Sequence, residues 1–148
     1  MDTTSPSATR SRHARLEELS PYDCWQLVSG AGGPDGIARV VWSGPDGPAI
    51  LPVNFTVADG FLWFQTTEGS RLALQCADQR VLVEVDDIDP ATHSGWSVVV
   101  SGVATCVAPA EDPGLLGGLL VWPSGPRELL LKVEADELTG RRLTRDSS

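Results

Sequence analysis

Three alternating segments separated by two short turns constrain the fold of this chain more than any other feature. The segments are Ile37–Ser43, Ala49–Val57 and Phe61–Thr66, and all three are rich in β-branched or aromatic residues, which favour strands. Gly44–Pro48 and Ala58–Gly60 fill the gaps with glycine, proline and aspartate, the residues that tight turns use most. Two such turns in succession predict a three-stranded antiparallel meander.

Three later segments extend the predicted sheet. They are Arg80–Asp86, Trp96–Val107 and Arg127–Glu134. Gly102 interrupts the longest of them and is expected to mark a bulge or a barrel corner. Six strands joined mostly by local hairpins predict a mainly β (α+β) fold, a small six-stranded antiparallel barrel with a few short helices, because closing the sheet removes its exposed edges.

Helices are predicted before, between and after these strands. Ser20–Asp23 has the pattern of a helix start, with serine at the N-cap and proline at the first helical position. A second helix opens at Glu68 or Ser70 and should end by about Asp78, and a third begins at Glu111. These helices are short additions to a β framework.

The two ends of the chain carry weaker signals. Residues 1–12 are polar and without periodicity, so they are predicted to be a disordered tail, and residues 13–145 to form one domain. A short helical piece is expected to begin near His13. Near the other end, Ala135–Leu138 is interpreted as a turn or a short helical piece.

The charge and the cysteines exclude several classes of function. The formal net charge is −9, with 20 acidic and 11 basic residues, which disfavours nucleic acids and anionic membranes as partners. No apolar run approaches the ~20 residues that span a membrane, so we expect a cytoplasmic protein. Cys24, Cys76 and Cys106 are far apart in apolar sequence and are expected to be buried, reduced thiols. The two histidines, His13 and His93, are not close to any cysteine, so no metal site is predicted.

The junction after the third strand has the composition of an anion site. Thr66–Arg71 combines three hydroxyl groups, one glycine and one arginine where a strand is expected to give way to a helix. Free N–H groups, hydroxyl donors and a guanidinium fork together suit a phosphate. The alternative is an ordinary capped helix, with Thr67 or Ser70 as the N-cap and Arg71 in solvent.

Phe64–Arg71 resembles the FMN-phosphate segment of the pyridoxamine 5'-phosphate oxidase superfamily, the flavin-binding split β-barrels. That segment is an aromatic strand ending in threonine, a short loop, and Ser-Arg-Lys opening a helix; this chain has Leu72 in place of the lysine. The resemblance extends over Ile37–Ala108 and includes the Gly95–Gly102 strand. It is closest to small actinobacterial-type, nitroimidazole-resistance-like members, and it implies a split β-barrel that binds FMN.

The resemblance also implies a set of cofactor-binding residues. The phosphate and ribityl end of FMN would be held by Thr66, Thr67, Ser70 and Arg71. The main chain of one strand would border the isoalloxazine ring, at Pro52, Val53, Asn54 and Phe55. The Asn54 amide could join this edge or lie in solvent on an outer strand face.

Trp96 and Ser97 complete the predicted site, at positions where relatives carry polar flavin contacts. Trp96 could stack on the ring, or be a core or dimer-interface aromatic residue instead. Ser97 replaces a glutamine of the classical oxidase. Gly140–Arg142 resembles a closing motif of small members whose role the sequence does not assign.

The resemblance implies a homodimer with the flavin at the subunit interface and a small-molecule substrate. No histidine follows His93, although the classical oxidase holds its substrate with a C-terminal histidine and arginine, so oxidation of vitamin B6 is not expected. An FMN-dependent oxidoreductase is the leading hypothesis, with no catalytic acid or base assigned. The alternatives are a reductase that uses the deazaflavin coenzyme F420, whose polyglutamyl tail suits a more basic groove, and a non-enzymatic flavin- or haem-binding protein.

Overall fold

The computed structural model describes residues 14–108 and 128–145 as eight strands and two helices. In chain order the elements are β1 (Ala14–Glu18), α1 (Pro21–Ala31), β2 (Ile37–Gly44), β3 (Gly47–Ala58), β4 (Phe61–Thr67), α2 (Arg71–Cys76), β5 (Arg80–Asp89), β6 (Ser94–Val107), β7 (Glu128–Glu134) and β8 (Glu137–Arg145). The helix predicted at Glu111 and the predicted tail at 1–12 lie outside the described residues.

Strands β2 to β7 close into a barrel. Their order is β6-β5-β2-β3-β4-β7, and β7 pairs back onto β6. Each pairing is antiparallel, so the predicted six-stranded antiparallel barrel is confirmed. Strand β8 adds to β6 outside the ring, and β1 adds to β8.

Strand β6 is shared by two sheets that separate along its length. It pairs with β8 over Gly95–Ser101 and with β7 over Ala104–Val107. Gly102 lies between these two stretches, and a Cβ atom added there would clash with the main-chain oxygen of Glu134. The barrel corner predicted at Gly102 is therefore confirmed, because β6 changes its neighbour at that residue.

The barrel interior is filled by the inward face of each strand. Leu62, Phe64, Val83 and Val100 belong to one buried core cluster, and α1 contributes Val28 to it. Helix α1 starts as predicted, because the Ser20 side chain accepts a hydrogen bond from the main-chain nitrogen of Asp23 at 3.1 Å. The helix packs against β3, β6 and β8.

Of two predictions about the ends, one was wrong and one was right only in part. The segment expected to be helical near His13 is strand β1 from Ala14, and the turn predicted at Ala135–Leu138 is confined to Ala135 and Asp136, because β8 begins at Glu137. These two strands pair with each other, from Ala14 opposite Arg145 to Glu18 opposite Arg141. All five residues of β1 are exposed, so no alternation of apolar and polar residues was present to reveal a strand.

Two of the three cysteines are buried as predicted, and the third is more exposed than expected. Cys24, Cys76 and Cys106 are unpaired thiols; the first two are buried and the third is half-buried. Burial raises the pKa of all three thiols, that of Cys76 to about 11. Within the described residues, no group of histidine, cysteine and acidic side chains could hold a metal ion. Neither helix in that part of the chain is long and apolar enough to cross a bilayer.

Candidate functional site

The β4–α2 junction brings the predicted hydroxyl groups together. The Thr66 Oγ1 and Ser70 Oγ atoms are 2.6 Å apart, and Ser70 Oγ also accepts from the Ala73 main-chain nitrogen at 3.1 Å. Ser70 is thus the N-cap of α2, as the capped-helix alternative had it. The Thr67 carbonyl accepts from the Ser70 nitrogen at 3.1 Å, and Gly69 adopts a φ of 82°, which glycine tolerates best. The junction is therefore a tight turn with two hydroxyls on one side.

Arg71 follows this turn as the first residue of α2 and is exposed. Its guanidinium carbon lies 5.5 Å from the centroid of the Trp42 ring. The ion pairs among residues 14–108 and 128–145 are made by Arg39 and Arg80, so Arg71 has no carboxylate partner in the described structure. A guanidinium without an ion-pair partner in this part of the chain, next in sequence to a pair of hydroxyl groups, can receive an anion.

Within residues 14–108 and 128–145, strand β3 has an edge without a pairing partner next to this junction; we call it the open edge of β3. It pairs with β4 only from Phe55 to Ala58, although both strands continue beyond that point. Extending the register would place Val53 level with Thr66 and Pro52 level with Thr67. The two strands therefore separate where the predicted phosphate residues begin.

The main-chain direction in β3 divides the residues predicted to border a ring. The Phe55 nitrogen donates to the Gly36 oxygen and the Phe55 oxygen accepts from the Gly33 nitrogen, so Phe55 faces the β2 side. Because alternate residues of a strand face opposite edges, Val53 also faces β2, and Pro52 faces the open edge. Asn54 faces the open edge for the same reason. Of the predicted set, Pro52 and Asn54 are thus best placed for main-chain contact with a ligand.

The side chains of Asn54 and Phe55 have structural contacts. The Asn54 Nδ2 atom donates to the oxygens of Gly33, Pro34 and Gly36 at 2.9, 3.2 and 2.7 Å. This amide therefore fixes the loop between α1 and β2, which leaves its Oδ1 atom as the group available to a ligand. Phe55 is 1% exposed and belongs to the barrel core.

Trp96 and Ser97 lie on a different part of the barrel. Both line a cavity of about 320 Å³ on the sheet formed by β1, β8, β6 and β5, together with Leu16, Ile88 and Leu143. The α2 segment meets β6 at Ala104, where Asp78 N donates to the Ala104 oxygen at 2.8 Å. Ala104 is seven residues beyond Ser97 on β6, a span of about 23 Å at the rise of a strand. One chain therefore does not bring Trp96 and Ser97 to the β4–α2 junction.

Arg141 is a residue to which sequence reasoning gave no role. It lines the 320 Å³ cavity and a neighbouring cavity of about 420 Å³, and Ser97 also lines both. The register places Arg141 between Ser97 on β6 and Glu18 on β1. Its alternating position in a strand could have been a signal, but β8 itself was not predicted.

The outer face of β2 and β5 carries a compact charged cluster. The Arg39 Nη1 atom lies 3.2 Å from an oxygen of Glu84 and 3.2 Å from an oxygen of Asp86. Burial raises the pKa of Glu84 to about 7. The hydrogen bond and the charge of Asp86 also raise this pKa, whereas the hydrogen bond and the charge of Arg39 lower it. The cluster therefore holds two carboxyl groups and one cation, and Glu84 binds a proton more readily than in the unfolded chain.

This raised pKa predicts that Glu84 makes folding less favourable as the pH rises. Between about pH 4.5 and about pH 7 the folded chain holds more protons at Glu84 than the unfolded chain does. The contribution of Glu84 to the free energy of unfolding is therefore complete below pH 4.5 and is lost as the pH rises to about 7. Over this interval the free energy of unfolding of the wild type should fall by about 1–2 kcal/mol relative to that of Glu84→Gln. Urea unfolding at pH 5 and pH 7.5 measures this difference. Glu137→Gln, an exposed carboxylate outside the cluster, is the control. Equal pH dependence in wild type and Glu84→Gln would contradict the assignment.

Comparison with known proteins places this arrangement in a family. The family model described as pyridoxamine 5'-phosphate oxidase matches residues 21–142. The chain belongs to the pyridoxamine 5'-phosphate oxidase family. The match runs from α1 into β8, so the β4–α2 junction, the β3 edge and Trp96–Ser97 all lie inside it. The predicted resemblance is confirmed over more of the chain than Ile37–Ala108.

Several relatives are similar over most of their length. An uncharacterised protein of Mycobacterium tuberculosis is 36% identical over 115 residues, which cover 74% of this chain and 76% of that protein. A solved FAD-binding protein from Mycobacterium smegmatis is 31% identical with a TM-score of 0.70, covering 86% of this chain and 97% of the other. An FAD-binding protein from Mesorhizobium loti shares the fold at 18% identity and a TM-score of 0.69, covering 89% and 99%.

Proposed function

We propose that this protein is a flavin-binding oxidoreductase that holds FMN with its phosphate at the β4–α2 junction. The observation that carries the proposal is the Arg71 guanidinium, which has no carboxylate partner in the described structure and follows directly on the paired hydroxyls of Thr66 and Ser70. The FAD-binding protein of M. smegmatis, at 31% identity, supports a flavin as the ligand.

Arg71 must supply most of the charge at this site. Helix α2 has only six residues, so its dipole and free N–H groups alone are a weak source of anion affinity. A flavin phosphate carries close to two negative charges at neutral pH and offers oxygen acceptors to a guanidinium fork. Because one of the Thr66 and Ser70 hydroxyls donates to the other, the pair has one hydroxyl hydrogen left for the phosphate.

The open edge of β3 suits the polar rim of a flavin ring. Every second residue of β3 directs its main-chain N–H and C=O groups toward β2, and the residues between them direct theirs toward the gap beside β4. The residues that face the gap include Pro48, Ile50 and Pro52. Isoalloxazine carries acceptors and an N–H donor on one rim, which this edge can meet with carbonyl groups and the Ile50 N–H. When bound, the flavin would supply the hydride and electron transfer; the chain's own part is to bind and orient it.

A second copy of the chain would complete the site. Trp96, Ser97 and Arg141 line cavities away from the β4–α2 junction, so a two-fold arrangement is needed to bring them to the same ligand. The outer face of β3, β2 and β5 supports such contact, because Ile50, Val41 and Leu82 form one row across it. Ile50 is 58% exposed and Leu82 is 42% exposed. We therefore propose a homodimer with the flavin and a small-molecule substrate at the interface.

Leu82→Arg should convert this dimer to monomers. A charge in the apolar row would have to lose its hydration on association, which is strongly unfavourable. Light scattering should give twice the 15.7 kDa chain mass for the wild type and the single mass for the variant. Tyr22→Arg, on α1 at a side chain that is 71% exposed, is the control and should stay dimeric. A Leu82→Arg protein of wild-type mass would contradict this interface.

The identity of the flavin is tested by releasing it. Protein purified without added cofactor should carry a yellow chromophore, and heat release followed by mass spectrometry should identify FMN. FAD is the second candidate, because the M. smegmatis relative is an FAD-binding protein and FAD contains the same ribityl phosphate. The net charge of −9 and the single lysine, Lys132, weigh against the polyglutamyl deazaflavin. A colourless protein that takes up neither added FMN nor FAD would refute the flavin proposal.

Enzymatic activity is tested separately from binding. The flavin-loaded protein should oxidise reduced nicotinamide in the presence of a small acceptor, if it is the oxidoreductase proposed. Bound flavin without turnover against a panel of reductants and acceptors would instead identify a flavin carrier.

A further inference from the structure

Trp42 connects the barrel core to the proposed phosphate site. It lies on β2, is 4% exposed and belongs to the core cluster. Its Nε1 atom donates to Gln75 Oε1 at 2.8 Å, and its ring lies 5.5 Å below the Arg71 guanidinium carbon. Arg71 and Gln75 are four residues apart on α2 and so share one helix face. A single indole therefore contacts α2 at two points one turn apart.

The indole is held rigidly, and the arginine on it is not. Trp42 is paired with Ala49 in the β2–β3 ladder. A Cβ added at Gly44 would lie 3.0 Å from Gln75 Oε1, so the glycine makes room for the Gln75 amide that orients the ring. Arg71 is exposed, and a free arginine side chain loses considerable rotamer entropy when it binds a ligand. A fixed aromatic face beneath the guanidinium lowers that cost.

We propose that Trp42 is a positioning residue that holds the Arg71 guanidinium in place for a phosphate, and so sets the preference for phosphorylated over unphosphorylated flavin. The inference rests on the proposed function. The inference goes beyond the proposed function because it assigns the selectivity for phosphorylated flavin to a core residue that does not itself contact the phosphate. Because Trp42 acts through Arg71, its effect should appear only with ligands that carry the phosphate.

The test compares FMN with riboflavin, which lacks the phosphate, by titrating the quenching of flavin fluorescence. Trp42→Leu should weaken FMN binding about fivefold to tenfold and leave riboflavin binding within about twofold. Trp42→Phe keeps a weaker aromatic face and should give a smaller loss for FMN. Gln75→Met, which removes the indole acceptor from a half-buried helix position, should also lower the FMN-to-riboflavin ratio and remains informative if Trp42→Leu does not fold.

A matched control is available on β4, in a small apolar cluster that is separate from the main core. Trp63 is 5% exposed, donates from Nε1 to the Ala58 oxygen at 3.0 Å, and lies under Lys132 at 5.8 Å. Trp63→Leu removes a buried indole and a cation–π contact as Trp42→Leu does, but it should leave the FMN-to-riboflavin ratio unchanged. In an Arg71→Ala background, Trp42→Leu should have no further effect on that ratio.

The outcomes separate the inference from the function on which it rests. Wild-type protein that prefers FMN while the Trp42 and Gln75 variants keep that preference would overturn the inference alone. Equal losses of FMN and riboflavin in Trp42→Phe and Gln75→Met would also overturn it, because they indicate a general structural role. Wild-type protein that binds neither compound would refute the proposed function, and the inference with it.

Discussion

Arg71→Glu is expected to abolish flavin binding and to yield a colourless protein. The substitution replaces the Arg71 guanidinium, which follows directly in sequence on the hydrogen-bonded Thr66 and Ser70 hydroxyls, by a carboxylate. Charge-assisted hydrogen bonds contribute about 1.5–3 kcal/mol each, and reversing the charge adds repulsion of the phosphate. The affinity for FMN should therefore fall at least about 100-fold, measured by equilibrium dialysis and by the flavin content of the purified protein.

Two variants show whether the position or the charge matters. Arg71→Lys keeps the cation but loses the fork, so it should retain weakened binding. Arg80→Glu makes the same change in net charge at an exposed arginine whose partner is Asp136, and it should bind FMN normally. Full flavin content in Arg71→Glu would refute the phosphate assignment, whatever the other variants do.

Gly102→Ala is expected to destabilise the barrel by about 3 kcal/mol or more. The added methyl group would collide with the main-chain oxygen of Glu134, a group that cannot rotate away as a side chain can. Relief requires a shift of β6 against β7 at the point where β6 leaves β8, and overpacking of this kind commonly costs 1–3 kcal/mol even against side chains. The midpoint temperature of thermal unfolding should fall by about 10 °C.

Gly30→Ala provides the matched control for this substitution. Gly30 lies within α1, and a Cβ added there meets no atom within 4 Å. Alanine is the better helix former, so this variant should be as stable as the wild type or more stable by about 0.5–1 kcal/mol. A Gly102→Ala protein that unfolds at the wild-type temperature would show that β6 can shift freely, contrary to the close packing seen at the corner.

The sequence predicted the barrel well because its strands leave local marks. Alternation and tight turns fix β2, β3 and β4 within a residue or two at each end, and glycine marks the corner in β6. Strands β1 and β8 were missed because they pair across the full length of the chain and because β1 is exposed on both faces. Neither long-range pairing nor two-sided exposure leaves a periodic pattern.

The candidate site was predictable in part for the same reason. The Thr66–Arg71 junction is contiguous, so its composition alone indicated an anion site and a helix cap. The structural use of the Asn54 amide depends on carbonyl groups about twenty residues earlier, which sequence spacing does not reveal. Trp42 was not singled out because its two contacts on α2 arise only once the helix covers the end of the barrel.

The prolines of β3 bear on how an unpaired strand edge is tolerated. An exposed edge can recruit a strand from another molecule and start aggregation. Pro48 and Pro52 lie at alternate positions whose main-chain groups face the gap, and proline offers no N–H to an incoming strand. This edge of β3 can thus stay unpaired while being a poor template for cross-molecular β-sheet growth.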